Sequence, residues 1–141
     1  MRRSLTLIIT VAVALLAGCA QDRPRPATTD QAQQTAHLTE EHGDGYRRAD
    51  DPDAIVKLVG YYAAQRGGTP FATQVSHGTD PGGHVDVAFT AYSTVDGSDA
   101  GLECWRFSWR QRKPDPYIRT IDYNPIACPS GVTVSAGTGG G

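Results

Sequence analysis

The chain has 141 residues, 39% of them hydrophobic, with 13 Lys and Arg against 15 Asp and Glu, a formal net charge of −2. That length gives room for one small domain, and a mildly acidic chain is not built to grip nucleic acid or an anionic membrane through its overall field. A core this small is marginal in stability, so a covalent staple has value.

The N-terminal segment reads first. Arg2 and Arg3 precede an apolar run from Leu5 to Ala17. A positive start, an apolar core and small residues before a cut site mark a secretory signal, with the arginines held on the cytoplasmic side. The core Leu5–Leu16 is interrupted only by Thr6 and Thr10 and falls well short of the ~20 apolar residues of a membrane-spanning helix. An uncleaved signal-anchor, or a plain signal cut elsewhere, are the alternatives.

Leu16-Ala17-Gly18-Cys19 closes this segment and resembles the lipobox of bacterial lipoproteins at every position: Leu, two small residues, then Cys. The resemblance implies that residues 1–18 are a signal peptide cut off by signal peptidase II. It implies a diacylglyceryl group on the Cys19 thiol, and a mature chain Cys19–Gly141 held by lipid on the extracytoplasmic face of the cell membrane. With Arg2 and Arg3 gone, 11 basic residues face 15 acidic ones, a formal charge of −4. Each buried CH₂ contributes ~0.8 kcal/mol and a single acyl chain anchors marginally, so the two chains of such a group anchor stably. Once Cys19 carries lipid, Cys104 and Cys128 are an even pair in an oxidising compartment. A Cys104–Cys128 disulfide is expected, closing a loop that stabilises by roughly 3 kcal/mol in the chain-entropy model. Two free thiols, or half of a metal site without a Cys-x-x-Cys partner motif, are the alternatives.

From Ala20 to about Arg48 the sequence is rich in Gln, Thr, Pro, Asp and Arg, and Leu38 is its one large aliphatic residue. Residues 19–49 therefore read as a disordered tether, too poor in apolar surface to offset the entropy of ordering. His37 and His42 lie in it beside Glu40 and Glu41, as solvated side chains or as a loose metal or proton sensor.

The first folded element is a helix opening at Asp50 or Asp51 as cap, with Pro52 at the first helical position and Asp53 at the positive end of the macrodipole. Ile55, Leu58, Val59 and Tyr62 recur at helical spacing, and Gly67-Gly68 ends the element after Arg66. Gly60 inside it costs ~1 kcal/mol relative to Ala, which suggests a close approach to a sheet. Thr69–Ser76 reads as a bridge, and His77–Gly83 as a turn. Val85, Val87, Phe89 and Ala91 alternate with His84, Asp86, Ala88 and Thr90 in a half-buried strand. A second strand, Leu102–Trp109, puts Trp105, Phe107 and Trp109 on one face and Cys104, Arg106 and Ser108 on the other. After the turn Arg110–Pro116, a third strand covers Tyr117–Tyr123. Short turns make these strands antiparallel neighbours and bring Cys128 within reach of Cys104. The alternation puts Cys104 opposite the aromatic face, so either the bridge lies on the exposed face or a bulge near Asn124-Pro125 re-aims Cys128. Residues 130–141 end in Gly137-Thr138-Gly139-Gly140-Gly141 and read as a disordered tail.

These readings define an α+β domain over residues 50–129: one N-terminal helix packed on an antiparallel sheet of three to four strands, stapled by a disulfide. The strand Glu103-Cys104-Trp105-Arg106-Phe107 and the terminal Ala127-Cys128-Pro129 resemble a group of small actinobacterial lipoproteins and secreted proteins with a Cys–aromatic–Arg–aromatic strand and a final Cys-Pro. That resemblance covers roughly residues 50–129 and implies fold and compartment only.

Three clusters carry chemistry. His77, Asp80, His84 and Asp86 fall within ten residues; His77, Asp80 and His84 are candidate metal ligands, although Asp80-Pro81-Gly82 is explained as a turn alone. Arg106, Arg110, Arg112, Lys113 and Arg119, with Trp109 and Tyr117 interleaved, have the character of an anion or partner patch, or of a solvated face whose Arg stems cover apolar surface. Exposed Trp and Arg also suit a protein-binding surface. The stripe Trp105, Phe107 and Trp109 reads as core, with Phe89, Tyr62 and Leu58. No Gly-x-Ser-x-Gly context surrounds a nucleophile, and no cofactor is implied. The expectation is a non-enzymatic envelope lipoprotein, its membrane contact made through the Cys19 lipid, that binds an envelope protein or wall polymer and no nucleic acid. A small-ligand or metal-binding lipoprotein using the His77–His84 loop is the alternative.

Overall fold

A computed structural model describes residues 27–42, 52–79, 81–92, 98–110 and 120–134. The signal segment, Cys19, the Asp50/Asp51 cap, Asp80, Arg112, Lys113, Tyr117, Arg119 and the tail from 135 onward lie outside them. Among the described residues two helices, α1 (Thr28–Glu41) and α2 (Pro52–Gln65), precede four strands: β1 (Gly68–Ser76), β2 (Gly82–Tyr92), β3 (Asp99–Arg110) and β4 (Asp122–Ile126). The strands form one antiparallel sheet in the order β1-β2-β3-β4. The α+β class, the antiparallel sheet and the disulfide are as expected.

The central pair sets the two faces. Val85 pairs with Phe107, Val87 with Trp105 and Phe89 with Glu103. Because side chains alternate along a strand, the odd-numbered positions of β2 and β3 share one face. Val85, Val87, Phe89, Trp105, Phe107 and Trp109 are all buried there, in one cluster with Ile55, Val59, Ala63, Ala32, Ala36 and Ile121. The aromatic stripe is core, and Trp109 is 2% exposed.

α2 runs from Pro52 to Gln65, and the chain turns out of it at Gly67, whose φ of 75° is the left-handed conformation glycine adopts without penalty. Its contact face is rotated from the sequence reading. Ile55, Val59 and Ala63 are fully buried, whereas Leu58 and Tyr62 are half-buried flanking residues.

α1 corrects the tether expectation. Thr28, Gln31, Ala32, Thr35, Ala36 and Thr39 are its buried residues, a helical stripe built from small and polar side chains instead of large aliphatic ones. The Thr35 hydroxyl donates to the Gln31 carbonyl at 2.8 Å and the Thr39 hydroxyl to the Thr35 carbonyl at 2.7 Å. Each buried hydroxyl is thereby satisfied within the helix, leaving the threonine methyl as the packing group. Polar contacts fix the helix to its neighbours. The Gln31 amide donates to the Arg66 carbonyl at 2.7 Å, Arg66 Nε donates to Gln34, and the Thr28 hydroxyl donates to the Glu103 carboxylate. At the other end the Ile121 N–H donates to the Glu40 carboxylate at 2.7 Å. His37 lies on the exposed side, 3.3 Å from Glu41, and the His42 ring packs near Tyr62.

Two further elements differ from expectation. Thr69–Ser76 is not a bridge but most of β1. As an edge strand it tolerates Pro70, and an irregularity between Pro70 and Ala72 breaks its register with β2. The last strand is Asp122–Ile126, later than Tyr117–Tyr123, with Asn124 opposite Arg106 and Ile126 opposite Cys104. Cys104 and Cys128 are joined, their Cα atoms 5.2 Å apart. The bridge lies on the sheet face away from the helices, yet Cys104 is buried there.

Gly60 does face the sheet, at Pro70 of β1, but at a distance that does not require glycine; the position that does is Gly68, within β1 itself. A Cβ on Gly60 would meet Pro70 at an ordinary 3.6 Å, but a Cβ on Gly68 would lie 2.5 Å from the Phe89 ring and 2.8 Å from Val87. Gly68→Ala is therefore expected to lower unfolding stability by about 1–3 kcal/mol through overpacking. Gly60→Ala should be neutral or stabilising by up to ~1 kcal/mol. Denaturant titration of the two variants against the parent protein checks the pair.

Candidate functional site

The helix-covered face of the sheet is filled, which leaves the opposite face as the candidate surface. The even-numbered residues of β2 and β3 and their neighbours form it. Gln74 on β1 pairs with His84, His84 with Ser108, Asp86 with Arg106, and Arg106 with Asn124 on β4. The strand pairing thus sets a row of polar side chains across four strands, with the Cys104–Cys128 bridge beside it.

Asp86 and Arg106 are the centre of this row. Arg106 Nε donates to Asp86 Oδ1 at 2.7 Å and Nη2 donates to Oδ2 at 2.8 Å, a side-on bidentate pair of the kind only arginine can form. The Asp86 side chain is buried while that of Arg106 is about half exposed. The hydrogen bonds to Asp86 hold the Arg106 guanidinium above its usual pKa, partial desolvation opposes them, and the Asp86 charge adds to them. As a unit the pair is neutral, and two of the five guanidinium N–H groups are committed to the carboxylate.

This geometry revises the basic patch. Arg106 is not a loose cation awaiting an anion. It compensates a carboxylate that the central strands have taken out of water. Arg110 is exposed at the end of β3, on the same face by alternation. Trp109, interleaved with the arginines in sequence, is buried in the core on the opposite face, as its place in the aromatic stripe predicts.

Comparison with protein-family models, with curated proteins and with solved structures finds no match. The assignment of this surface rests on its own chemistry.

The metal candidates are not brought together. His77, beyond the end of β1, places Nε2 3.6 Å from the Asp53 carboxylate at the start of α2. His84 sits in mid-strand on the face away from the helices, opposite Gln74 and Ser108. Among the described residues no group of three or more His, Cys, Asp or Glu is arranged to hold a metal ion. His84 and Asp86 share the open face, but Asp86 is committed to Arg106 and His77 lies beyond the end of β1, beside Asp53; Asp80 lies outside the described residues. Sequence reasoning missed the Asp86–Arg106 pairing itself. Its signal was available: an acid in the middle of a Val-rich strand and a base in the middle of an aromatic-rich one.

Leaving a buried carboxylate without its partner is worse than removing both groups. Arg106→Ala is therefore expected to unfold at lower denaturant than the double variant Asp86→Ala/Arg106→Ala. A double-mutant cycle by chemical denaturation checks this, and equal or additive losses would contradict the pairing.

Proposed function

We propose that this chain is a lipoprotein, fatty-acylated at Cys19 and held on the extracytoplasmic face of the cell membrane. Its small domain is a non-enzymatic binding module for an envelope protein or wall polymer. The observation that carries the reading is Leu16-Ala17-Gly18-Cys19 closing an apolar segment behind Arg2 and Arg3. A basic start, a core too short to span a bilayer and a terminal small-small-Cys sequence are the parts such processing requires.

The disulfide supports the reading from the other end of the chain. It joins two of the three cysteines, leaving Cys19 as the odd sulfur, and disulfides persist in oxidising extracytoplasmic compartments. The binding role is supported by the polar sheet face. Gln74, His84, Ser108 and Asn124 offer hydrogen-bonding groups on a rigid four-stranded platform, with the exposed Arg110 at its rim. Arg112, Lys113 and Arg119 follow Arg110 in sequence and complete the basic set proposed for the partner.

Metabolic labelling with a palmitate analogue tests the anchor. The expected result is a labelled protein that sediments and floats with membranes, and loss of both label and membrane retention in Cys19→Ser. An unlabelled parent protein whose N-terminal peptide carries no acyl group by mass spectrometry would overturn the proposal.

A further inference from the structure

We infer that the anchored chain turns the β2–β3 hairpin end of its sheet toward the bilayer and the end carrying Gly82 and Arg110 away from it. The inference rests on the Cys19 anchor proposed above and adds which surface of the domain meets the lipid.

α1 supplies the geometry. Its first residue, Thr28, hydrogen-bonds Glu103, near the start of β3 and the hairpin with β2. Its last turn is fixed through Glu40 to the N–H of Ile121, next to Asp122, which pairs with Ser108 near the end of β3. The helix thus runs along the sheet from the hairpin end to the opposite end. Its 14 residues span about 21 Å. α2 runs back the other way, from Asp53 beside His77 to Arg66 beside Gln31 and Gln34.

The short spacing from the acyl group then biases the orientation, because the attached end stays on average nearer the surface than the end a helix length away. Thr28 lies nine residues after Cys19, so whatever its conformation the connecting chain reaches no further than about 32 Å. A tether running to residue 49 would reach about 100 Å and impose no orientation. With α1 folded into the domain, the hairpin end is the attached end and the Gly82–Arg110 end lies a helix length beyond it. Asp30, Asp99 and Glu103 lie toward the attached end with Arg66 as the cation beside Gln31 and Gln34, so the excess acidic charge opposes embedding among anionic headgroups at short range without releasing the tether. Among the described residues no helix is long and apolar enough to cross a membrane. The lipid holds the hairpin end close to the surface, and the acidic residues keep it from embedding.

The test is amide NMR of the full acylated chain in vesicles of phosphatidylethanolamine and phosphatidylglycerol doped with a gadolinium-chelating lipid. Paramagnetic broadening falls with the sixth power of distance. The expected result is several-fold stronger broadening at Asp30, Gly101 and Glu103 than at His77, Gly83 and Arg110. A long Gly/Ser insertion between Ala20 and Gln21 should flatten that gradient while membrane retention is unchanged. Even broadening in the parent chain, or stronger broadening at Arg110, overturns the orientation with the anchor intact. A chain that stays in solution without broadening overturns the anchor and the orientation together.

Discussion

Pairing β2 with β3 puts Val85, Val87, Phe89, Trp105, Phe107 and Trp109 on one side of the sheet, and that side has to be covered. Burying such residues is worth roughly 1.5–3 kcal/mol each, the largest favourable contribution available to a domain of this size. A single 14-residue helix is too narrow to cover a sheet of four strands. α2 contributes Ile55, Val59 and Ala63, and α1 contributes Ala32, Ala36 and the methyl faces of Thr35 and Thr39. The aromatic side chains come from the sheet, while the helices bring the aliphatic Ile55 and Val59 and small alanines, so the two layers fit together. Within the sheet, Gly68 at the start of β1 leaves room for the Phe89 and Val87 side chains of the neighbouring strand.

Coverage of one face determines the character of the other. With the apolar set committed to the helices, the reverse side of the same strands carries His84, Asp86, Ala88, Cys104, Arg106 and Ser108. Asp86 lies centrally enough in the sheet to be buried there, and Arg106 opposite it compensates the charge. The disulfide closes the same face and ties the segment after β4 to β3. The polar row is thus held on a platform whose backbone is paired along both central strands and whose reverse side is a packed core. It suits presentation of hydrogen-bonding groups to a partner, in keeping with the binding role proposed.

How far this was legible in the sequence depended on side-chain size. α2, β2 and β3 announce themselves through large apolar residues at periods near four and two, and their pairing follows from short connections. The two sulfurs were matched by count once Cys19 was set aside. α1 escaped because its stripe is Ala, Thr and Gln: the spacing is helical, but no large residue marks it, and it is stable through contact with a surface the sequence does not display. β1 escaped because it is an exposed edge interrupted by Pro70. At the site, Arg106 was legible as a basic residue on the open face. Its partner was hidden because Asp86 precedes it by twenty positions and only the strand register brings them together.

The account stands on α1 being part of the domain, since both the covered core and the nine-residue spacing from Cys19 depend on it. Backbone amide hydrogen exchange of the native protein measures this directly. The amides of residues 32–41 should be protected to a degree comparable with those of α2 and lost with them in one cooperative opening. Exchange of those amides at the rate of an unstructured peptide, with α2 and the sheet still protected, would contradict it.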